Sequence, residues 1–149
     1  MTEWVFASSP ASKDAHRNLY HFSESSYIIP GKDLIESIIT FKEDFSRLHI
    51  VSPWMNMVML ALGQAKPQRG DMFLLLRRAG IKAEELVPFR ESELGDIFPW
   101  LYYGRRFDVL RRICQAAKVN AERYLRNNNV RVHCHLVVED IPEIIASSL

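Results

Sequence analysis

Five short runs of strand character alternate with stretches in which apolar residues return every three or four positions. The strand runs are Tyr27-Ile28-Ile29, Leu48 to Val51, Met72 to Leu76, Val130 to Glu139 and Glu143 to Ala146. Between them, Leu34, Ile35, Ile38, Ile39 and Phe45 follow helical spacing, as do Met55, Val58, Met59 and Leu62. A third helical stripe carries Phe107, Leu110, Cys114, Ala117, Ala121 and Leu125. The order strand, helix, strand, helix, strand, helix, strand, strand predicts an α/β fold, a mixed central sheet flanked by helices.

The punctuation agrees with this reading. Pro30-Gly31 stops the first strand, and Asp33 with Glu36 three residues later resembles a capping box. Ser52-Pro53 offers an N-cap and a first-turn proline, and the asparagines at 127–129 suit a helix end. Residues 1–26 are mixed, with only the apolar run Trp4 to Ala7 standing out. Ala83 to Leu86 reads as helix, and the aromatic segment Phe98 to Tyr103 reads as a loop over the core or an exposed contact surface.

With 149 residues, 48% of them hydrophobic and 25% charged, the chain suits one globular domain over 1–149. The net charge is +1, but it is unevenly spread. Arg105 to Arg131 holds eight basic residues and two acidic ones, a surplus of +6 that leaves about −5 elsewhere. Such asymmetry points to an anionic partner or to a solvated helix face. No segment approaches the roughly 20 apolar residues of a membrane span, and no signal-like leader is evident, so a cytoplasmic location is expected. Cys114 and Cys134 lie among apolar neighbours and read as reduced, partly buried thiols.

The block from His133 to Asp140 carries the chemistry. On a strand, side chains alternate faces, so His133 and His135 share one face while Cys134, Leu136 and Val138 share the other. His-x-His on one strand face is also a spacing that zinc sites use, with Asp140 or His49 as a possible third ligand, though the metal reading ranks low and no cofactor is expected.

The block resembles the signature of the phospholipase D superfamily: histidine, any residue, lysine, four residues, aspartate, six residues, glycine-serine. Here these positions fall on His133, His135, Asp140 and Ser147-Ser148, with histidine replacing the lysine and serine replacing the glycine. A softer likeness runs upstream, through the helix and strand that end at Ser52-Pro53-Trp54 and on to Arg77. The resemblance implies a phospholipase D-like fold and a metal-independent phosphodiesterase or nuclease. Its His133 would form a phosphohistidine, with a second histidine protonating the leaving group. Only one copy of the motif is present, so the resemblance further implies a homodimer.

The lysine of that motif supplies a fixed charge to the phosphate; a histidine, with a reference pKa near 6.5, is mostly neutral at pH 7. The alternative is therefore a catalytically degenerate binding or interaction module. His133, His135 and Asp140 are the candidate catalytic residues. Ser148, Arg131, Arg77 and Arg105 are candidate phosphate contacts. Nucleic acid is the expected ligand, since Lys and Arg neutralise phosphates, and a phospholipid ranks below it.

Overall fold

A computed structural model describes residues 3–31, 33–41, 44–126 and 129–149. Strand β1 (Glu3–Ala7) leads into helix α1 (Pro10–Tyr20), and a short 3-10 turn (Glu24–Ser26) precedes β2 (Tyr27–Ile28). Then come α2 (Leu34–Thr40), β3 (Arg47–Ser52), α3 (Trp54–Leu62), α4 (Arg69–Arg78), α5 (Ala83–Leu86), α6 (Ile97–Tyr103) and α7 (Phe107–Leu125). Strands β4 (Arg131–Val138) and β5 (Glu143–Ser147) close the fold. The sheet order is β2-β1-β3-β4-β5, parallel except for β5, which pairs antiparallel with β4. The mixed central sheet with flanking helices is thus as expected.

Three local expectations are corrected. Met72 to Leu76 is not a strand but the middle of α4, where Met72, Leu75 and Leu76 are buried at helical spacing and Leu74 is 48% exposed. The Asp71 carboxylate accepts the Gln68 amide at the helix start, and Arg77 and Arg78 occupy the last turn, where cations suit the helix dipole. Residues 3–20, read as mixed, form a central strand and a helix. Ser9 caps α1 by accepting the Ser12 amide (3.1 Å), and Pro10 takes the first helical position.

The aromatic segment is helix α6 rather than a loop. Pro99 fits because it sits in the first turn, where amides have no intrahelical partner. Ile97 and Leu101 enter the core, Phe98 and Trp100 pack against it, and Tyr103 is 82% exposed. Smaller shifts occur at helix ends: Pro53, not Ser52, caps α3, and Arg126 ends α7 in the left-handed conformation. Asn127 and Asn128 lie outside the described residues.

The main core lies between one sheet face and the helices. Leu48 and Ile50 of β3 and Val132, Cys134 and Leu136 of β4 meet Met57 and Leu60 of α3 and Leu110, Ile113 and Ala117 of α7. The stripe on α7 includes Val109 and Ile113, while Phe107 is 41% exposed. Among the described residues, the opposite face carries a small buried apolar group, Val5, Ala15, Val51 and Val137, beneath α1, with Phe22, Tyr27 and Ile144 packed against it. Among the described residues no helix is long and apolar enough to cross a membrane.

Candidate functional site

The face beneath α1 gathers imidazoles. Parallel pairing sets His49 of β3 opposite His133 of β4, and Val51 opposite His135. His49, His133 and His135 therefore share a face by strand alternation. Helix α1 contributes the fourth ring: Ser12, Ala15 and His16 form its buried stripe, and this directs His16 onto the sheet.

Three of the rings converge. His16 Nε2 lies 3.1 Å from His49 Nδ1, which lies 2.9 Å from His135 Nε2. His16 and His135 are fully buried and His49 nearly so. The outer nitrogens have their own partners: His16 Nδ1 meets the Tyr27 hydroxyl at 2.8 Å, and His135 Nδ1 meets Ser147 Oγ at 2.7 Å. Tyr20 stacks on His16 with 4.6 Å between ring centroids, and Phe22 closes the side with edge contacts to His16 and His49.

Burial in this aromatic shell keeps the rings neutral. It lowers the pKa of His16 to about 3, helped by His49. It lowers that of His49 to about 4, helped by His133 and Arg47, and that of His135 to about 2, helped by His49, His16 and His133. A charged imidazole would lose hydration here and face its like-charged neighbours. One ring nitrogen from each of the three lies within 4.8 Å of the others, a spacing that can hold a metal ion.

His133 is different. It is half-buried, its Nδ1 is closed to solvent with no hydrogen-bond partner among the described residues, and its ring centroid lies 5.2 Å from that of His49. Burial first, then the charges of Lys118 and Arg47, lowers its pKa, while Glu122 and Glu3 act in the opposite direction. Register places Arg47 opposite Arg131 two residues earlier on each strand, so both arginines share the face of His133. Arg131 is exposed; Arg47 is about half exposed and touches Glu3 at 3.4 Å.

The other residues singled out in the sequence are scattered. Asp140 is exposed in the turn between β4 and β5. Ser148 is buried as part of strand pairing: its Oγ accepts the Cys134 amide and its own amide reaches the Cys134 carbonyl, both at 2.9 Å. Arg77 lies on α4, in the helical layer packed on the opposite sheet face from His133. Arg105 sits between α6 and α7 with a positive φ of 55°. The two thiols are free and buried, Cys114 with its pKa pushed up to about 12 and Cys134 also raised, so neither is a nucleophile.

His16 is the site residue that the sequence reading passed over. The available signal was Ser9-Pro10, an N-cap with a first-position proline, which places His16 one turn after Ser12 on a common helix face. Glu139 reinforces that placement, accepting from Ser9 and Ser12 across the end of β4.

Compared with known protein families, characterised proteins and solved structures, the chain matches none.

Proposed function

We propose that this chain binds phosphodiesters, with nucleic acid as the ligand class, as a phospholipase D-like module that does not turn its ligand over. The observation that carries this reading is the set of Arg47, Arg131 and His133 on one open part of a sheet face. The two exposed guanidiniums offer the charge that a phosphodiester takes, and the half-buried, neutral His133 lies on the same face.

Two observations set binding above hydrolysis. The position of the motif's lysine is held by His135, which is buried, neutral and tied to His49 and Ser147, so it brings no charge to a bound phosphate. Asp140 is out in solvent. Hydrolysis through a phosphohistidine would also need a second His133, supplied by a twofold homodimer, to protonate the leaving group.

The test is fluorescence anisotropy with labelled single- and double-stranded DNA across a salt series. Wild type binds, and more weakly as salt rises; Arg47→Ala/Arg131→Ala binds more weakly with a salt slope lower by about two. Absence of salt-dependent binding, or a double variant equal to wild type, overturns the proposal. Cleavage of bis(p-nitrophenyl) phosphate that survives EDTA and vanishes in His133→Ala would replace the binding reading with the phosphohistidine one.

A further inference from the structure

We propose that His16, His49 and His135 form a three-imidazole site for a divalent transition metal of zinc type. The inference does not rest on Arg47, Arg131 and His133, the set that carries the phosphodiester reading.

The argument starts from valence. A ring nitrogen carries either one proton or one lone pair, so it makes one strong hydrogen bond. His49 Nδ1 nevertheless faces two imidazole nitrogens, at 3.1 and 2.9 Å, from elements 33 and 86 residues away in the chain. A proton on His49 Nδ1 can only be shared between two acceptors, each served poorly. A metal ion in the middle serves all three lone pairs at once. Zinc–nitrogen bonds of about 2.0–2.1 Å in tetrahedral geometry separate the ligand atoms by about 3.3 Å. Two edges of the triangle are already within a few tenths of an ångström of that, and the third is under 4.8 Å.

The surroundings support the assignment. Ligating histidines usually donate their other N–H to a fixed acceptor, which sets the tautomer. The Tyr27 and Ser147 hydroxyls are placed to accept that N–H from His16 and His135, and in this tautomer both Nε2 atoms are free to ligate. The rings are neutral, as ligands must be, and neither the carboxylates nor the thiols of the described residues join the cluster. An all-imidazole set selects zinc, copper or nickel over magnesium or calcium. Three protein ligands leave a fourth position for water. The ion would tie α1 to β3 and β4, three elements otherwise joined on this face by few apolar side chains.

The test uses the full chain without a histidine tag. Purified apoprotein is titrated with zinc against a chromophoric chelator, and the zinc-loaded protein is examined by X-ray absorption at the metal edge. The expected result is one ion per chain with three imidazole scatterers and no sulfur. His16→Gln should lower affinity by about a hundredfold or more and Tyr27→Phe by about tenfold, while the exposed His21→Ala has no effect. Circular dichroism checks that each variant is folded, and the absorption spectrum of wild type decides the matter if His16→Gln is not. No binding near one equivalent, a sulfur shell, or affinity indifferent to His16→Gln in a folded variant overturns the site.

Discussion

Under α3 and α7, strands β3 and β4 present Leu48, Ile50, Val132, Cys134 and Leu136; under α1 the same strands present His49, Val51, His133 and His135. The first face is held by apolar burial, which is non-directional and grows with area. The second buries polar rings, and each nitrogen taken from water must find a partner or be left at a cost. One face therefore makes the fold stable, and the other makes it specific and pH-dependent. The second also divides along the strands, from the open end at Arg47, Arg131 and His133 to the closed cluster around His135.

Acid should separate the two faces most strongly. In the metal-free chain His16, His49 and His135 are neutral when folded, with pKa values lowered from 6.5 to about 3, 4 and 2. Below pH 6.5 the unfolded chain binds protons that the folded chain does not, so the stability these rings contribute is fully present above 6.5 and falls with pH toward those values. Each ring can contribute up to about 1.4 kcal/mol per pH unit in that window. Three together exceed any single substitution, so urea unfolding with EDTA present should show a steep loss between pH 6.5 and 4. A flat profile there would mean that the cluster is not closed to water.

The apolar face should answer to volume instead. Ile113 is fully buried on α7, and Ile113→Ala should cost about 2–5 kcal/mol at any pH between 5 and 8. A comparable cost that changed with pH would break the division between the faces. On the histidine face, Tyr27→Phe removes a hydroxyl and leaves His16 Nδ1 without its 2.8 Å partner. The expected loss is about 1–2 kcal/mol in equilibrium unfolding of the apoprotein, from one unsatisfied buried nitrogen.

The apolar face was also the readable one. Strand and helix stripes such as Leu48 to Val51 or Leu110, Cys114 and Ala117 follow from periodicity, because burial acts on every residue of the stripe alike. Met72 to Leu76 misled because an unbroken apolar run has no period, and its helical nature rested on flanking charges such as Asp71. The histidine face was legible within β4, where alternation puts His133 and His135 together, and beyond it only in His49 as one of two choices for a third ligand. His49 and His16 join them through strand register and helix docking, which pair residues far apart in sequence, and no local pattern encodes those pairings.

The smallest expected effect on stability isolates the open end of the histidine face. Arg131 is exposed, and the Arg47–Glu3 contact is a single surface ion pair at 3.4 Å. Such pairs contribute about 0–1 kcal/mol, because water screens them and the long side chains lose freedom in forming them. Arg47→Ala/Arg131→Ala should therefore unfold within about 0.5 kcal/mol of wild type and keep its zinc affinity, while losing DNA affinity and salt dependence. That pattern would show that the charge of the open end serves a ligand rather than the fold. If instead the double variant lost stability or zinc, the open and closed ends would be one coupled unit. His133 would then belong to the metal centre rather than to a separate phosphate-binding surface.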